Sequence, residues 1–135
     1  MRIYRNLAAS RDLCRAGVEK SSLRALLEGK REESLVSSEE LMKATFRDPE
    51  GMYYLARQLS YLRADGPALE MLFRAISNGF FCHQAMVRDP WLDGLRTKAE
   101  FTELLRKAHQ LHREASTAFQ AGGGPALLGI RSEGY

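Results

Sequence analysis

The chain has 135 residues and a mass of 15.2 kDa, with 44% hydrophobic and 27% charged residues, a formal net charge of +3 and a pI near 9.0. These values describe one ordinary globular domain with enough apolar material for a core, and they exclude a disordered or fibrous chain. Lys and Arg are spread along the chain among Asp and Glu, which is not the basic stripe of a nucleic-acid reader, and no stretch approaches the length of a membrane span.

From Arg2 to Cys14 the apolar positions Ile3, Leu7 and Cys14, with Val18 beyond them, fall near one side of a helical wheel. The same stretch, MRIYRNLAASRDLCRAG, carries arginines throughout and no unbroken apolar run. It lacks the form of a secretory signal, and a cytoplasmic protein without membrane association is expected. Cys14 and Cys82 sit far apart among apolar neighbours, as buried free thiols of a reducing compartment would. SSLRALLEG predicts a short helix from Ser22 to Glu28 with Gly29 as its stop, and KREESLVSSEELMKATF resumes a helical pattern through Leu35, Leu41, Met42 and Phe46.

RDPEG is a helix start: Asp48 can accept from free N–H groups, Pro49 suits the first helical position and Glu50 suits the positive end of the dipole. The helix it opens is expected to reach about Arg63, followed by a turn at Asp65-Gly66-Pro67 and a second arm to about Ser77, closed by Asn78-Gly79. Asp89 and Pro90 repeat the start signal ahead of a short turn. A last helix, from about Lys98 to Phe119, sets Phe101, Leu104, Leu105, Ala108, Leu111, Ala115 and Phe119 on one face. AGGGPALLGIRSEGY is a Gly-rich tail over 121–135, with Leu127, Leu128 and Ile130 as a small apolar plug for the body. No segment alternates as a strand does, so the expected class is all-α.

Matching Ser34 with Ala68 superposes LEGKREESLVSS on LRADGPALEMLF, and the same offset sets Gly29 facing Arg63, Leu35 facing Leu69 and Leu41 facing Ala75. That offset is the period of the tetratricopeptide (TPR) helix–turn–helix repeat, which this chain resembles. In the unit from about 49 to 82, Leu55 and Ala56 stand at the pattern's Leu-Gly pair, and Ala68, Leu72 and Ala75 at its Ala, large apolar and Ala positions. Antiparallel helices approach closely only across such small residues. The unit from about 15 to 48 departs from the pattern, with Ser21-Ser22 at the Leu-Gly pair and Leu41 in place of the second Ala. DPWLDGLRTKAEFTELLRKA resembles DPxLDPLRxDPxFxxLLxRA, the segment that closes many bacterial tetratricopeptide arrays. Trp91, Leu92, Leu95, Phe101, Leu104 and Leu105 match its apolar positions, Gly94 replaces its usual Pro, and TKAE replaces its second Asp-Pro. The resemblance spans roughly residues 23 to 118. It implies a short solenoid of antiparallel helix hairpins within a single domain over 1–120, capped by a helix from the 83–120 region, and a non-catalytic adaptor or scaffold for protein–protein interaction.

By the same resemblance, the first helix of each hairpin lines a concave groove. Tyr53, Tyr54, Arg57, Ser60 and Tyr61, with Glu50, fall on or near it, and Gln84 and Arg88 continue it. Arg57 lies four residues after Tyr53 and four before Tyr61, so the three share one side of a helix. Aromatic faces flanking a guanidinium suit an extended peptide with an acidic group or a C-terminal carboxylate. The competing reading packs the tyrosines against the neighbouring hairpin and leaves Arg57 solvated. Trp91 is expected as a buried anchor of the cap. The family's clamp for C-terminal peptides uses Lys and Asn at set groove positions; Tyr53 and Arg57 occupy two of them here and the Asn is lacking, so a chaperone-tail clamp is not expected.

Other chemistry is faint. His109 and His112 lie one turn apart with Glu114 nearby, and Cys82-His83 could complete a metal site only if the fold brought them together. Surface or packing roles are the expectation for these histidines. Gly122 to Gly124 have no following Lys-Ser/Thr and no preceding strand, so they are no phosphate loop. No nucleophile–base–orienter spacing occurs, and Glu32-Glu33 and Glu39-Glu40 read as a solvated face. The expectation is therefore no enzyme, no metal and no cofactor, with a protein or peptide segment as partner. The alternatives are a metal-dependent or enzymatic site using His83, His109 and His112, and a nucleic-acid adaptor using Arg2, Arg5, Arg11, Arg15 and Lys20. With fewer than three good repeats the open N-terminal end needs a cover, either the helix from Arg2 to Cys14 or a second copy in a homodimer.

Overall fold

Asp48 starts the central helix as its sequence predicts: its carboxylate accepts from the Glu50 and Gly51 N–H groups at 3.1 Å each, with Pro49 in the first turn. The computed structural model describes residues 21–43 and 47–129, and every regular element among them is helical. Residues 21–27 are helical (α1). They are followed by α2 (Arg31–Lys43), α3 (Pro49–Tyr61), α4 (Asp65–Ser77), α5 (His83–Arg88), a 3-10 segment (Pro90–Leu95), α6 (Ala99–Ala121) and the single turn α7 (Gly124–Leu127). The protein is all-α. The expected helix from Arg2 to Cys14, Cys14 itself, Phe46, Ile130 and the basic N-terminal residues lie outside the described residues. Among the described residues, no helix is long and apolar enough to cross a membrane.

The turn between α3 and α4 falls at Leu62–Ala64, ahead of its expected place. Arg63 adopts the left-handed conformation, with φ of 61°. Asp65-Gly66-Pro67 form the first turn of α4 instead. Pro67 fits there because the first N–H groups of a helix have no intrahelical acceptor to lose. The two helices then close on each other across small residues, Ala56, Ala68 and Ala75, all fully buried, with Leu55, Leu59, Met71, Leu72 and Ile76 packed around them.

The turn before α2 has the same construction, with Gly29 in the place of Arg63. Gly29 is left-handed where Arg63 is, and α2 and α4 are both 13 residues long. Glu28 N–H, Gly29 N–H and Lys30 N–H donate to Arg24, Leu26 and Ala25 carbonyls, just as Leu62, Arg63 and Ala64 donate to Gln58, Ser60 and Leu59. Ser22 and Ser34 are buried at the positions that correspond to Ala56 and Ala68. Their hydroxyls are satisfied: Ser34 Oγ donates to the Ser22 carbonyl (2.9 Å), Ser38 Oγ to the Ser34 carbonyl (2.7 Å), and Ser22 Oγ to Gln58 Oε1 (3.0 Å). The last bond ties α1 to α3. Arg74 ties α4 to α2 by donating to the Met42 carbonyl at 3.2 Å.

The 3-10 segment buries Leu92 and Leu95 against the α3–α4 pair, and α6 returns over α4 through Phe101 and Ala108. Lys98 and Asp65 join the starts of α6 and α4 at 2.9 Å. Of the seven apolar positions expected to bury one face of α6, Ala115 and Phe119 remain exposed. A 23-residue helix is about 35 Å long and outreaches a 13-residue neighbour of about 20 Å. Two further expectations are corrected. Leu127 and Leu128 are exposed at 84% and 66%, so they form no plug; the tail instead turns helically, with Gly124 buried against the Phe119 ring. Cys82 is free but exposed, because it stands at the edge of α5 where the chain leaves the core.

Candidate functional site

Tyr53, Arg57 and Tyr61 recur every four residues along α3 and so share a side of it, the side that faces the 3-10 segment. Asp89 comes to meet them. Its Oδ1 accepts the Trp91 N–H at 3.0 Å and so starts the 3-10 segment. Its Oδ2 accepts the Tyr53 hydroxyl at 2.7 Å and forms an ion pair with Arg57 Nε. The Asp89 side chain is 5% exposed and that of Arg57 27%.

Three rings surround the guanidinium. Its carbon lies 5.0 Å from the centroid of Trp91, 5.7 Å from Tyr54 and 5.9 Å from Tyr53, within the range of cation–π attraction. Tyr53 is backed by Phe80, stacked at 4.6 Å, and Trp91 by Tyr61 at 5.1 Å. Burial, and then the hydrogen bond to the Asp89 carboxylate, push the Tyr53 hydroxyl far above its ordinary pKa, so it stays a neutral donor. Tyr54 donates to Glu50 at 3.0 Å. Among the described residues, the two terminal nitrogens of Arg57 make no hydrogen bond. The site is a caged cation with one side spent on Asp89 and its fork of donors unspent.

Of the residues the sequence singles out, Tyr54 and Tyr61 are exposed at 43% and 57%, and Arg57 reaches the surface in part. Tyr53 and Ser60 are buried, and the Ser60 hydroxyl has no hydrogen-bond partner among the described residues. Gln84 and Arg88 are exposed on α5. Trp91, expected as a buried anchor, is only half-buried and belongs to the face around Arg57. At the offset that matches Gly29 with Arg63, Leu23 and Leu27 of α1 correspond to Arg57 and Tyr61; they are apolar and 37% and 72% exposed. Val87 of α5 is 39% exposed.

Asp89 is the residue that sequence reasoning missed. It was legible as a helix start, but a capping carboxylate has two oxygens, and nothing local tells where the second one points. The histidines gather differently from a metal site: His83 and His109 stack face to face at 4.6 Å, which sets their nitrogens in near-parallel planes instead of converging them. Among the described residues, no group of three or more His, Cys, Asp or Glu could hold a metal ion. The open groove along α6, about 740 Å³, is bordered by Arg106, His109, Arg113 and Thr117 and lies apart from Arg57. Compared with protein-family models, with curated proteins and with solved structures, the chain matches none.

Proposed function

We propose that the chain is a short tetratricopeptide-like array that acts as a non-catalytic adaptor, binding a segment of another protein on the face of α3 around Arg57. The observation that carries this reading is the caged guanidinium itself: three rings surround it, and its terminal donors have no hydrogen-bond partner among the described residues. Holding a side chain rigid with its donors free lowers the entropy lost when an acceptor arrives. Tyr54 and Tyr61 flank it with exposed aromatic surface, the kind of side chain that dominates binding at protein interfaces. Leu23 and Leu27 of α1 and Val87 of α5 are further exposed apolar side chains that a partner segment could cover.

Asp89 refines the ligand. Because its carboxylate offsets the guanidinium charge, Arg57 offers directed donors more than net charge. That suits a main-chain carbonyl or carboxamide of an extended segment at least as well as a carboxylate. The array reading is supported by the recurrence of the Gly29 turn at Arg63, one tetratricopeptide period on and with the same hydrogen bonds. A cytoplasmic setting fits the exposed free thiol of Cys82.

The test is a comparison of captured proteins from the source cytoplasm, using wild type and an Arg57→Ala/Tyr61→Ala double variant of unchanged helical circular dichroism. Loss of a specific partner from the double variant supports the face. Identical partner sets move the binding surface elsewhere, and recovery of the chain itself as the lost species identifies the partner as a second copy.

A further inference from the structure

Of the three histidines of the chain, His83 and His109 meet where α5 lies against α6, and His112 follows His109 by about one turn of α6. The imidazoles of His83 and His109 stack with centroids 4.6 Å apart and planes inclined by 22°. His83 is half-buried and His109 exposed. Burial first, and then the charges of His109 and His112, hold the His83 pKa below its ordinary 6.5.

Among the described residues, the surroundings offer no relief to a second proton. From α6, His112, Arg106 and Arg113 lie within a turn of His109, with Arg106 already paired to Glu103 at 2.6 Å. Glu114 accepts from Gln110 at 2.9 Å. From α5 the only other charged group is Arg88, at its far end, and Cys82 just before it is a free thiol. On α4, which also packs on α6, Asp65 is held by Lys98 and Arg74 by the Met42 carbonyl. Among the described residues, no carboxylate pairs with either imidazole. Two charged rings stacked this closely repel, and among the described residues no counter-charge lies between them.

What the stack holds in place matters more than the stack. α5 is six residues long and Met86 is its one fully buried side chain. The residue that follows the helix is Asp89. We propose that double protonation of the His83–His109 stack undocks α5 from α6 and withdraws Asp89 from Arg57 and Tyr53, so that the aromatic face is assembled near neutral pH and dismantled in mildly acidic solution. Its consequence for ligand binding rests on the reading of that face given above; the conformational release does not. The sign follows from linkage: a base whose folded pKa is depressed stabilises the fold fully above its unfolded value of 6.5, and that stabilisation is lost as pH falls below it.

Trp91 is the only tryptophan of the chain and lies against Arg57 and Tyr61, so its emission reports the face with no partner present. The experiment titrates the full chain from about pH 7.5 to about pH 5, following Trp91 emission and far-UV circular dichroism. His83→Phe and His109→Phe serve as comparisons, since phenylalanine keeps a stacked ring that cannot take a proton. The wild type is expected to red-shift in one step with a midpoint below about 6.5 while its helical signal is kept, and both variants are expected to lose that step. A flat wild-type titration, a step kept at the same midpoint in both variants, or a helical signal that collapses together with the emission would each overturn the proposal. Should a phenylalanine variant not fold, His109→Gln removes the charge at an exposed position and gives the same reading. A preserved Trp91 step in a protein that captures no partner at any pH would sink the binding face and leave the switch standing.

Discussion

The Tyr53 hydroxyl donates to Asp89 Oδ2 across 2.7 Å, and both residues are buried. The same carboxylate pairs with Arg57 and starts the 3-10 segment through the Trp91 N–H. One side chain thus joins the central helix to the 3-10 segment and fixes the guanidinium within its rings. Asp48 stands in the same Asp-Pro context at the start of α3, yet it is exposed and caps only its own helix.

The two aspartates should therefore respond differently to the same substitution. Asp48→Ala removes a solvated cap and is expected to cost about 1 kcal/mol. Asp89→Ala strands a buried phenol and a half-buried guanidinium as well, and is expected to cost about 2–4 kcal/mol, below the full value for a deeply buried pair because Arg57 reaches solvent. Urea unfolding of the two variants checks this through the difference in midpoint at equal slope. Equal costs would mean that the Arg57–Asp89 pair contributes nothing.

Tyr53 makes the fold sensitive to base. Its folded pKa is raised above the ordinary 10.0, so the stabilisation it represents is complete below that value and is lost as pH climbs above it. Alkaline unfolding is expected to set in above about pH 10. Tyr53→Phe, which should cost about 1 kcal/mol at neutral pH through one lost hydrogen bond, is expected to unfold less steeply with pH above that point. Ultraviolet titration of the phenols alongside circular dichroism tests it: a wild type in which every tyrosine ionises before any helix is lost would contradict the buried hydrogen bond.

What the sequence made legible was local chemistry. Asp48-Pro49-Glu50 starts α3 wherever the rest of the chain lies, and the small residues Ala56, Ala68 and Ala75 mark a close helix pair without reference to a third element. The failures are places where a second element decides. Asp65-Gly66-Pro67 reads as a turn by composition, yet a first helical turn tolerates the same residues, and the reversal came at Arg63. Periodicity carries α6's apolar face to Phe119, but burial stops where the shorter helix beneath it ends. Cys82 follows two phenylalanines and still lies outside the core. Tyr54, Arg57 and Tyr61 could be found from their spacing on one helix; Asp89 and Trp91, which complete the cage, come from a segment packed against it.

The buried serines offer a test of the equivalence between the two turns. Ser34 stands relative to the Gly29 turn as Ala68 does to the Arg63 turn, and its hydroxyl donates to the Ser22 carbonyl at 2.9 Å. Ser34→Ala should fit without strain and cost about 1 kcal/mol, the net worth of one buried hydrogen bond. Ser34→Leu should cost about 1–3 kcal/mol more by overpacking, as should Ala68→Leu. A Ser34→Leu variant as stable as Ser34→Ala by thermal unfolding would show that the α1–α2 pair is loosely packed.

Arg63 holds a conformation that costs a side chain about 1 kcal/mol, at the position where the preceding turn uses Gly29. Its guanidinium lies over Gly94, so the side chain covers the 3-10 segment without making a hydrogen bond to it among the described residues. Arg63→Gly relieves the backbone and gives up that cover, and the freedom glycine adds to the unfolded chain takes back part of the gain. The expected balance is a stabilisation of about 0.5 kcal/mol. For a domain of this size that raises the melting temperature by about 1–3 °C. Arg63→Ala loses the same cover and keeps the strained backbone, so it should melt below the wild type; if the two variants melt together, the left-handed turn is not where the energy lies.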